Sequence, residues 1–107
     1  MDVAKLKEDW IGLEFDSVEF EMKQEEMLAF AETVGEQHPR FTDSQHPDFQ
    51  APVTFTSKFI GRRAFPKGFP QLGSGPGFDA GKCVEAFLPI RPGDQLTARS
   101  HIADIYE

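Results

Sequence analysis

In the run Val34-Gly35-Glu36-Gln37-His38-Pro39-Arg40-Phe41-Thr42-Asp43, a carboxylate, Glu36, stands two residues from an imidazole, His38. Side chains at i and i+2 of an extended segment point the same way, and a histidine with its ordinary pKa near ~6.5 suits proton transfer. Acid/base work by Glu36 and His38 is therefore one reading; a polar loop remnant without a chemical role is the favoured one. His38, Asp43, His46 and Asp48 offer donor types that suit several divalent ions, but their spacing matches no metal-site pattern, so no metal and no cofactor are expected. The glycine-rich stretch ending at Cys83 fails as a phosphate loop, which needs Gly, four residues, then Gly-Lys-Ser/Thr opening a helix. Here the first position is Pro76, the last is Cys83, and a strand-like segment follows.

The elements that must hold these residues can be read from periodicity. Ser17 to Met22 alternate strictly, with Val18, Phe20 and Met22 on one side and Glu19 and Glu21 on the other, as in a half-buried strand. From Gln24 to Val34 the period changes: Met27, Phe30, Ala31 and Val34 share a helical face that is expected to be core. Glu25 and Glu26 complement the helix N-terminus, and Gly35 sits where helices stop. Glu36 to about Gln50, with two His-Pro pairs, is expected to be loop. Ala51 to Gly61 fits either a strand or a short buried helix. The stretch 61–81 is dense in glycine, proline and phenylalanine and is expected to be an irregular loop or flap. "CVEAFLPI" and "QLTARSHIADIY" read as two strands joined by a turn over Arg91-Pro92-Gly93-Asp94. In the second strand Leu96, Ala98, Ser100 and Ile102 share one face and Thr97, Arg99 and His101 the other.

Composition excludes several classes. The chain of 107 residues is read as a single domain, 1–107, and its 11 Lys+Arg against 18 Asp+Glu give a net charge of -7. That balance disfavours nucleic acid and anionic membrane surfaces as partners. The apolar runs fall far short of the ~20 residues a membrane helix needs. A single cysteine, Cys83, precludes an intramolecular disulfide. It is expected to be a buried or half-buried structural thiol. These features together suggest a soluble, cytoplasmic protein. About three strands have little face with which to cover one helix; either a partner supplies strands or the natural chain continues past Glu107.

Three stretches in this order resemble the N-terminal domain of the MaoC-like dehydratases, the R-specific enoyl-CoA hydratases (hydratase 2). They are "FAETVGEQHPRFTD", "APVTF" and "LPIRPGDQLTARSHIADIYE", the last being the most specific. The resemblance implies an α+β hot-dog fold, an antiparallel sheet wrapped around a central helix, incomplete here at the C-terminus, that pairs as a homo- or heterodimer with another hot-dog unit. It also implies an acyl-CoA or acyl-carrier-protein thioester as ligand. The catalytic loop of active members resembles Gly-Asp-x-Asn-Pro-x-His-x-Asp. Laid on this chain, Gly35, Pro39 and Asp43 match, whereas Glu36 replaces the catalytic Asp, His38 the Asn, and Phe41 the catalytic His.

Phe41 can neither activate water nor deliver a proton. The chain is therefore expected to be a non-catalytic unit of a fatty-acyl hydratase (a lyase) with no catalytic residue of its own, shaping the acyl channel while a partner supplies Asp and His. Alternatives are an acyl-CoA binding or assembly protein without hydratase activity, and an active hydratase using Glu36 and His38. Phe55 and Phe59 lie in the segment that the resemblance places along the channel, although core packing is favoured for both. Arg62 and Arg63, with Lys67, are set against the phosphates of coenzyme A, with a solvated loop as the plainer account.

Overall fold

The structure, a computed structural model, describes residues 2–107. The chain begins with helix α1, Val3–Trp10, whose N-cap Asp2 accepts the Lys5 N–H at 3.0 Å. Periodicity did not point to this helix; the aspartate cap was the available signal.

Strand β1, Glu14–Glu21, shows the expected alternation, with Val18 and Phe20 half-buried between exposed Ser17, Glu19 and Glu21, and Met22 buried just beyond its end. Strand β2, Gln95–His101, pairs with it antiparallel and alternates in the same way, Leu96, Ala98 and Ser100 facing inward. The Met22 N–H donates to the Asp94 carbonyl and the Gly93 N–H to the Met22 carbonyl, each at 2.8 Å. The expected turn is present, and the Asp94 carboxylate accepts the Arg91 N–H at 2.9 Å.

Helix α2, Gln24–Thr33, has Glu25 and Glu26 in its first turn and buries Met27 and Ala31. Val34 corrects the expected core face. The helix has already ended there, its backbone leaves helical geometry, and the side chain is 47% exposed. Gly35 then takes φ 76°, a conformation that favours glycine. The polar loop that follows contains a short helix that was not foreseen, α3, Pro39–Thr42. The ambiguous segment resolves as a 3-10 helix, Val53–Lys58, in which the Thr56 and Ser57 hydroxyls donate back to the carbonyls three residues earlier.

The stretch 83–90, expected as a strand, is irregular and exposed up to Pro89. A strand requires a partner, and among the described residues only β1 and β2 pair as a sheet; Pro89 also lacks a donor. Its end is tied by the Ala51 N–H donating to the Ile90 carbonyl at 2.9 Å. Cys83, expected to be buried or half-buried, is exposed as part of this segment. Among the described residues no helix is long and apolar enough to cross a membrane.

Two units can be distinguished. Residues Glu19–Ile60 and Gly81–Leu96 form one. Its core is Met22, Met27, Phe49, Ala51 and Phe55, with Phe20, Phe30, Phe59 and Leu96 packed against it. Burying a side chain such as Phe55, 2% exposed, contributes about 1.5–3 kcal/mol. The other unit comprises the N-terminal segment through Val18, Gly61–Ala80 and Thr97–Glu107. In it the long loop is irregular, as expected, and is pinned at its start by Asp16. The Asp16 carboxylate accepts the Arg62 N–H at 2.7 Å and the Arg63 N–H at 3.3 Å. A Cβ on Gly61 would overlap that carboxylate. Farther along, Trp10 meets Phe69 edge-on at 5.4 Å, and Phe69 stacks on Phe65 at 5.3 Å.

Candidate functional site

The loop with possible acid/base residues is ordered by its histidines. His38 is the N-cap of α3, and its Nδ1 accepts the Arg40 N–H at 3.1 Å. His46 does the same for the Asp48 N–H at 3.0 Å. The two rings lie 6.1 Å apart. The pentapeptide behind this geometry occurs twice, as Gln37-His38-Pro39-Arg40-Phe41 and Gln45-His46-Pro47-Asp48-Phe49. In each copy the Phe N–H donates to the His carbonyl, at 2.9 Å and 3.0 Å. An Nδ1 that accepts a hydrogen bond places the proton of the neutral ring on Nε2. Both imidazoles are thus engaged as backbone caps. The repeated Gln-His-Pro-x-Phe was the signal in the sequence that could have revealed this.

Among the described residues no hydrogen bond joins Glu36 to His38. Glu36 lines a shallow groove with Leu28, Glu32, Gln37 and Thr42 that does not include His38. Phe41, at the position of the missing proton-transfer group, is half-buried. Its ring lies under the Arg40 guanidinium at 4.8 Å and 6.3 Å from His38. Asp43 uses its carboxylate to accept the Gln45 N–H at 2.9 Å. Among the described residues no group of three or more His, Cys, Asp or Glu side chains is placed to hold a metal ion.

The same unit carries an open, mostly apolar groove of about 510 Å³. One wall is Ala51 with Val53 and Thr56 of the 3-10 helix; the other includes Val84, Phe87 and Ile90. Phe55 points away from it into the core, 5.3 Å from the Phe30 ring, and Phe59 stacks on Phe20 at 5.0 Å. Phe55 and Phe59 are brought together, at 5.9 Å. Arg62 and Arg63 belong to the other unit, with exposed side chains above the backbone anchor on Asp16.

Helices beside a two-stranded antiparallel sheet make a small α+β arrangement of the hot-dog kind. The chain belongs to the family described as FAS1-like, dehydratase domain region, which it matches over residues 9–107. A UPF0336 protein of Streptomyces coelicolor is 33% identical over 99 residues, 80% of this chain and 63% of that protein. A second UPF0336 protein, from Parafrankia sp., is 31% identical over 114 residues, 94% of this chain and 73% of that protein. The chain therefore spans 63% of the first relative's length and 73% of the second's. No solved structure gives a significant match.

Proposed function

We propose that this chain is a non-catalytic hot-dog unit of an enoyl-thioester hydratase or dehydratase. It lines the acyl channel while a partner hot-dog unit supplies the Asp and His. The observation that carries this reading is Phe41. Adding water across an enoyl double bond requires one group to take a proton from water and another to deliver one to the adjacent carbon. A phenyl ring capped by Arg40 does neither. His38 would have to give up its bond to the Arg40 N–H before its Nδ1 lone pair could act as a base. Glu36 is one methylene longer than aspartate, and displacement by about an ångström can cost a hundredfold in rate. The apolar groove beside Val53 and Thr56 is the surface on which the acyl chain would lie.

The test is loss of the conjugated enoyl absorbance of crotonyl-CoA. The chain alone is expected to leave it unchanged, and addition of a hot-dog chain with an intact Asp/His loop is expected to start it. Hydration by the chain alone that disappears in Glu36→Gln or His38→Ala would overturn the proposal.

A further inference from the structure

The polar loop contains the same proton-sensitive turn twice. In Gln37-His38-Pro39-Arg40-Phe41 and in Gln45-His46-Pro47-Asp48-Phe49 the imidazole Nδ1 accepts the N–H two residues on, at 3.1 Å from Arg40 and 3.0 Å from Asp48. A neutral ring has one nitrogen free to accept, whereas an imidazolium carries a proton on both. Each cap therefore exists only while its ring is neutral. The two turns are also joined: the rings lie 6.1 Å apart, and the Gln50 N–H, just past the second copy, donates to the Arg40 carbonyl of the first at 2.9 Å. The second copy ends in Phe49, a core residue 4% exposed, and Gln50 and Ala51 after it line the apolar groove.

We infer that His38 and His46 form a proton-operated latch on residues 37–51, closed while both rings are neutral and released as they ionise. Ionisation removes both Nδ1 acceptors and leaves the Arg40 and Asp48 N–H groups without their partners. Two positive rings 6.1 Å apart also repel, and parting the turns relieves that repulsion. The surrounding charges do not offset it. They are Glu36, Arg40, Asp43 and Asp48 of the loop, Glu32 of α2, which packs on α3, and Arg91 of the segment that meets Phe49. Among the described residues no carboxylate is ion-paired with either ring. The Asp43 carboxylate accepts the Gln45 N–H at 2.9 Å, and two cations are already close, Arg40 over the Phe41 ring and Arg91 donating to the Phe49 carbonyl at 3.2 Å. Because the closed loop favours the neutral rings, the latch contributes fully above the range in which imidazoles ionise, about pH 5–8, and is lost as pH falls through it. It depends on backbone geometry alone and not on what the groove binds.

The test is amide hydrogen exchange by NMR, expressed as protection factors so that the intrinsic pH dependence of exchange divides out. From about pH 8 to about pH 5, protection of the Arg40, Phe41, Asp48, Phe49 and Gln50 amides is expected to fall about tenfold, while that of Ala31 in α2 holds. His38→Asp combined with His46→Asp keeps an acceptor at both caps over this range and is expected to abolish the fall. Either replacement alone is expected to leave a smaller one. An undiminished fall in the double variant would overturn the latch. So would steady protection in the unsubstituted chain while the ring-proton shifts show both imidazoles ionised.

Discussion

At the scale of single residues, His38 acts as a cap, a role more often taken by serine, threonine, aspartate or asparagine. His38→Ala is therefore expected to cost about 1 kcal/mol in urea unfolding, and His38→Asp to restore most of it. A catalytic imidazole would not be replaceable in that way. A second residue-scale effect concerns pH. The Lys7 ammonium, 3.0 Å from Asp104 Oδ1, together with the Ile105 N–H, holds the Asp104 carboxyl below its ordinary range. Because folding favours the ionised form, this contribution is present above the unfolded-state pKa and is lost as pH falls through the lower folded value. An NMR titration should find Asp104 protonating at lower pH than an unperturbed aspartate, with Lys7→Gln moving it back up.

At the scale of elements, the loop's anchor on β1 makes a sharper prediction than any single contact. Gly61→Ala forces a methyl group into the Asp16 carboxylate and should cost about 1–3 kcal/mol, as overpacking does. In an Asp16→Ala background the same substitution should cost less, a non-additivity that a double-mutant cycle by chemical denaturation would measure. Phe55→Ala, which removes the ring that the 3-10 helix packs against Phe30 of α2, should cost about 3–5 kcal/mol. Which elements were legible follows from what each depends on. β1 and β2 could be read because each has one half-buried face and one exposed face, so a period of two survives in the sequence. α2 could be read for the corresponding reason, with only Val34 misplaced by the helix ending one residue early. Residues 83–90 could not, since their composition suits a strand but says nothing about whether one pairs with them. The site was half visible: Phe41 stands out against the family pattern, whereas the caps of His38 and His46 depend on ring-nitrogen orientation.

At the scale of the molecule, Phe87 and Leu88 are 83% and 82% exposed, and among the described residues no third strand pairs with the outer edge of β1 or β2. Such surfaces drive association. Phe87→Lys with Leu88→Lys is expected to shift the chain toward monomer in sedimentation velocity and to weaken the pairing with a hot-dog unit proposed above. The histidine caps also set an order of chemical reactivity. An electrophile attacks the imidazole nitrogen that carries the lone pair, which in His38 and His46 is the Nδ1 bonded to a backbone N–H. His101, the remaining histidine, lies on the exposed face of β2. Acylating reagents should therefore label His101 first, and labelling of the other two should track the opening of their turns, which makes them probes of local unfolding rather than of catalysis.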